Sequence, residues 1–97
     1  MDNEKAVKEE IMKMGYVFHD MVIPEYMRRI LAEYIINHKP VGGFLEAILS
    51  NDLMMACLKA DGDNIRNIPA YIDFLYNYAP LGSWGSPKIY RTWIEEE

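Results

Sequence analysis

The chain has a single cysteine, Cys57, so no disulfide can close within it, which fits a reducing compartment. No apolar run approaches the length needed to cross a bilayer. Basic residues are few and scattered: 10 Lys and Arg stand against 15 Asp and Glu, for a net charge of −5. Without a cationic block or stripe, nothing neutralises a run of phosphates, so nucleic acid is not an expected partner. A compact anion, which needs only a few donors, stays compatible with this balance. Low-complexity tracts, internal repeats, dinucleotide and phosphate-loop glycine patterns and a nucleophile elbow are all missing. His19 and His38 are far from each other and from Cys57, with no metal-ligand spacing. "DGDN" at 61–64 shares the opening of a calcium loop. It lacks the glycine at the sixth position, and Ile72 stands where the closing glutamate belongs. The sequence therefore predicts no enzyme, no cofactor and no metal.

What remains is a chain of 97 residues, 51% of them apolar, enough for one helical domain over 1–97. Its opening, "MDNEKAVKEEIMKMG", is charged and amphipathic, unlike a secretory signal, and predicts a helix over residues 3–14 and a cytoplasmic protein. "YVFHDMV" at 16–22 reads as a short extended or turn-like connection. In "IPEYMRRILAEYIINHKP", Pro24 and Glu25 suit a helix start. Tyr26, Ile30 and Tyr34 form one row and Met27, Leu31 and Ile35 the next, with Arg28, Arg29 and Glu33 expected outside. "FLEAILSNDLMMACLKAD" is nearly all apolar and predicts the most buried helix, with Cys57 inside it and a break or polar notch at "SND". Asn67 and Pro69 either open a helix at residue 68 or kink one that begins at Asp63. Ser86-Pro87 is a serine cap followed by a first-turn proline. The expectation is an all-α, compact bundle of about five short helices.

The loop at residues 82–88 is the best candidate for chemistry. Trp84 sits among Gly82, Ser83, Gly85 and Ser86, directly before a helix start. The indole either folds back under the domain or stacks on a flat ligand. In the second reading, Ser83 and Ser86 supply hydroxyls and Lys88 and Arg91 supply charge near the positive end of a helix. Asn51, Asp52, Tyr76 and Asn77 would then read a ribose or a base edge. That set would make a pocket for a mononucleotide-sized ligand.

"IPEYM", "GGFLEAILSNDLMMA", "KADGDN", "YNYAP" and "GSWGSP" followed by Trp93 resemble a group of small bacteriophage and prophage proteins over residues 23–93. Pro69 is a departure, because relatives carry a continuous helical stretch there. The family carries no chemistry to transfer. By analogy, the resemblance implies an accessory protein that blocks a host defence. One such function is sequestering a small nucleotide-derived immune signal, of cyclic-nucleotide or ADP-ribose type, in the cytoplasm of an infected host. Others are inhibition of a defence complex by protein contact, and a regulatory or structural role without ligand. Seven tyrosines and two tryptophans exceed what one small core is expected to absorb. A homodimer or larger symmetric oligomer follows as the last expectation.

Overall fold

Tight local turns open the structure, a computed structural model that describes Glu9 and residues 17–96. The helix expected over residues 3–14 lies outside this range, apart from Glu9, which is helical. Strands β1 (Val17–Phe18) and β2 (Met21–Val22) pair antiparallel, with Val17 opposite Val22 and Phe18 opposite Met21. His19 makes the reversal with a left-handed φ of 56°. Six helices follow among the described residues, so the domain is mostly helical.

Helix α1 (Glu25–Asn37) starts after Pro24 and ends at His38, whose φ of 58° closes a left-handed cap. Met27, Leu31, Tyr34 and Ile35 form its buried stripe; Tyr26 and Ile30 stand at the edge, partly exposed. Arg28, expected outside, is buried at 7% exposure. A continuous 3.6-residue stripe brings position 28 beside 27, 31 and 35, so its stem packs under its neighbours.

The long apolar segment is split. Helix α2 (Gly43–Leu49) buries Phe44, Leu45, Ala47, Ile48 and Leu49. At Asn51 the chain takes φ 61°, a value asparagine tolerates, and Asp52 then caps α3 (Leu53–Lys59) by accepting from Met55 N at 3.1 Å. The break turns α3 back along α2, and only Ala56 of α3 is buried. The expectation that this segment is the central helix throughout holds for α2 and fails for α3.

A single turn, α4 (Gly62–Ile65), capped by Asp61 through Asn64 N at 2.8 Å, leads to α5 (Ile68–Tyr78). Pro69 thus lies in the first turn of α5 and kinks nothing. Asn67 does not cap α5 with its side chain. Its Nδ2 donates to the Asp63 carbonyl, and its Oδ1 accepts from Val22 N, tying the hairpin to the helix. Tyr71 and Phe74 are fully buried, and Tyr71 meets Phe44 edge to face at 5.3 Å.

Helix α6 (Pro87–Glu95) closes the domain against α1. Tyr90 stacks on Tyr34 at 5.7 Å, and Trp93 Nε1 donates to the Tyr34 carbonyl at 2.8 Å. His38 Nδ1 donates to the Trp93 carbonyl at 2.7 Å. Tyr34 itself is fully buried and donates its hydroxyl to the Ser83 carbonyl at 2.7 Å. Most of the helical aromatics therefore enter one core after all: Tyr34, Tyr71, Phe74 and Tyr90 are buried and Trp93 half-buried.

Replacing Tyr34 by Phe leaves the buried Ser83 carbonyl without its donor and should lower unfolding stability by about 1–2 kcal/mol. Urea denaturation measures the loss; Tyr76→Phe, on an exposed side chain, should show no change.

Candidate functional site

The residues around Trp84 are engaged with the protein itself. Ser83 is fully buried, with its hydroxyl donating to the Pro80 carbonyl at 2.7 Å and its own carbonyl receiving Tyr34. Gly82 and Gly85 take φ of 85° and 138°, values that L side chains rarely adopt. That path lets Gly85 N donate to the Leu49 carbonyl at 2.8 Å, which satisfies the C-terminal end of α2. Between these two anchors Trp84 is held half-buried against the core. Of the two fates open to it, the indole takes the inward one. Ser86 is an ordinary cap, its Oγ accepting from Ile89 N at 3.1 Å.

The other candidates scatter. Lys88 and Arg91 are exposed on α6, and Tyr76 is exposed near the end of α5. Asn77 donates back to the Asp73 carbonyl at 3.0 Å and to the Asp73 carboxylate at 2.8 Å. Asn51 and Asp52 form the helix break.

Three hollows test whether these residues share a site. A notch of about 50 Å³ lies between α3 and α5, walled by Asn51, Asp52, Leu53, Ala56, Ile68 and Ile72. A cleft of about 260 Å³ joins Ser50, Asp52, Glu46 and Lys59 to Pro87 at the start of α6. A second cleft of that size runs from Tyr26 and Ile30 to Gly43, Lys59, Asp61 and Asn64. Asp52 and the start of α6 do meet in the first cleft. There the carboxylates of Glu46 and Asp52 oppose a phosphate, with Lys59 the one cation in the lining. Trp84, Ser83, Ser86, Lys88, Arg91, Tyr76 and Asn77 line none of the three hollows. Among the described residues these three hollows do not join the loop's hydroxyls and indole to Asn51 and Asp52, because Ser83 and Trp84 turn toward the core and Ser86 caps α6.

Among the described residues, two buried phenols have clearly raised pKa values. Burial pushes the Tyr34 hydroxyl well above the ordinary phenol range, with Tyr90 adding to it. Burial does the same at Tyr71, helped by Tyr26 and Asp61. Tyr71 donates to Asn64 Oδ1, Asn64 Nδ2 donates to the Tyr26 hydroxyl at 3.4 Å, and that hydroxyl donates to Asp61 at 3.3 Å. This chain holds α1, α4 and α5 together. Among the described residues no cluster of three or more His, Cys, Asp or Glu side chains could hold a metal. None of the described helices is long and apolar enough to cross a membrane. Cys57, expected inside the core, is exposed.

Cys57 shares that exposure with its neighbours. Leu53, Met54 and Leu58 are 69%, 72% and 71% exposed. Beyond the notch, Ile72 and Tyr76 on α5 continue the apolar surface at 40% and 78%. Sequence reasoning missed this face, since a helix apolar all round reads as buried. One signal was present: "SND" and "DGD" leave only eight residues between two turns, too short a helix to be wrapped on all sides.

Raised phenol pKa values make stability depend on alkaline pH. The neutral forms of Tyr34 and Tyr71 are favoured in the folded state, so their contribution is intact below about pH 10, the unfolded value. It is lost as pH rises beyond that. Tyrosinate absorbance should therefore show a late group of phenols that ionise together with the loss of helical circular dichroism. A titration in which all seven tyrosines ionise near pH 10 without unfolding would contradict the burial.

Comparison of the chain with family models, with curated proteins and with solved structures finds no match to any of them.

Proposed function

We propose that the protein is a non-enzymatic factor that works by protein–protein contact, in the manner of the accessory phage proteins its motifs resemble. Its place of action would be the cytoplasm of an infected host. One observation carries this reading: Leu53, Met54 and Leu58 are turned to solvent on one short helix. Soluble domains rarely leave a contiguous apolar patch of several hundred Å² open unless something covers it. Methionine at two neighbouring positions suits such a surface, because its flexible thioether adapts to different partners. Acidic residues are spread over α1, α2, α5 and α6 as Glu25, Glu33, Glu46, Asp73 and Glu95, which gives no support to nucleic-acid mimicry.

Sequestration of a nucleotide-derived signal has less support, since the groups assigned to it make hydrogen bonds within the domain or line no common hollow. Titration calorimetry separates the two readings. Cyclic dinucleotides and cyclic ADP-ribose isomers should give no heat with protein at tens of micromolar. A photo-crosslinking side chain placed at position 54 should yield a discrete protein adduct in expressing cells, and one at exposed position 81 should not. Saturable heat that disappears in Trp84→Ala, with no adduct at position 54, would overturn the protein-contact reading in favour of sequestration.

A further inference from the structure

We infer that the apolar face of α3 is a two-fold interface, and that what covers it is a second copy of this chain. The inference rests on the reading of that face as a contact surface and names its partner. Area is the first argument. At about 200 Å² for a fully exposed large side chain, Leu53, Met54, Leu58, Ile72 and Tyr76 together present on the order of 650 Å². A stable dimer of standard size buries roughly 800 Å² on each side. The face supplies most of that before any polar rim is added.

Shape is the second argument. Met54 and Leu58 are one turn apart and exposed, and Leu53 on the same helix is both exposed and a wall of the notch of about 50 Å³, with Ala56, Ile68 and Ile72. A projection next to a recess of matching chemistry is what an isologous contact needs. A two-fold rotation carries the leucine or methionine of each copy toward the recess of the other, and both recesses fill at once.

Charge is the third. The chain is net negative, so two copies repel except where the facing surface avoids it. Helix α3 carries no charge from Leu53 to Leu58; Asp52 caps its start and Lys59 ends it. Two antiparallel copies set the acidic end of each helix toward the basic end of the other, and their helix dipoles oppose.

Light scattering at tens of micromolar protein reads the mass, and the rate of Cys57 alkylation by a small maleimide reads the cover over α3. Wild type should have about twice the monomer mass of 11.3 kDa, with Cys57 reacting slowly. Leu58→Glu should raise the dimer dissociation constant about 30-fold or more, return the mass to that of the monomer and speed the alkylation. Met54→Glu should do the same, and Leu81→Glu, off the face, should leave both readouts unchanged. Circular dichroism of each variant should match wild type. A monomeric wild type with reactive Cys57 would overturn the second copy as partner and leave the contact reading standing for another protein. A monomer with protected Cys57 would overturn it in favour of a cover from within the chain. A dimer indifferent to both substitutions would overturn the assignment to α3 and the contact reading of that face together.

Discussion

The hydrogen bond from Tyr34 to the Ser83 carbonyl fixes the arrangement of the C-terminal third of the domain. Tyr34 lies in the last turn of α1 with no exposed surface, and burial alone obliges its hydroxyl to find an acceptor. The acceptor it finds is a loop carbonyl 49 residues away, which draws residues 80–86 onto the core. From there α6 has one direction to run. Tyr90 stacks on the Tyr34 ring, and the Trp93 indole reaches the Tyr34 carbonyl, so one residue is met by the loop and by the helix after it. The Gly85 bond to Leu49 fastens the same loop to α2. A loop rich in glycine and serine before a helix start has the composition of an anion cradle, and here those groups serve to hold the domain together.

Much of the fold was legible because it is written in local chemistry. Ser86-Pro87 marks the start of α6, Pro69 in the first turn marks α5, and the Ser50–Asn51–Asp52 run marks a break. Caps and prolines act over a few residues, so spacing alone places them. The direction of the Trp84 ring was not legible, because it depends on Tyr34, half the chain away. Arg28 was misread for a related reason: a helical wheel gives the centre of a buried stripe better than its margins. The candidate site was the least legible part. Each residue in it had the right functional group, yet local partners had first claim on four of them: Pro80 on Ser83, Ile89 on Ser86, Met55 on Asp52 and Asp73 on Asn77.

The misreading of α3 is the instructive one. Hydrophobic composition says that a segment will be covered, without saying by what. Helix α2, next along the chain and similar in composition, is covered by the domain itself. Helix α3 is turned away at Asn51, and the domain has no further element on its outer side among the described residues. Part of the aromatic surplus that first suggested assembly, Tyr34, Tyr71, Phe74 and Tyr90, is absorbed into the core, while Tyr26, Tyr76 and Tyr78 stay exposed. Leucine and methionine side chains on α3 join Tyr76 in carrying that suggestion.

Amide hydrogen exchange at Gly85 tests most directly whether the tryptophan loop is part of the core. If the loop is held by Tyr34 and by the bond from Gly85 N to the Leu49 carbonyl, this amide should exchange only in the opening that also exposes core amides of α1. Its protection should then match the global unfolding free energy. Exchange at the rate of an unprotected loop amide, with α1 still protected, would contradict the account and leave the indole free for a ligand.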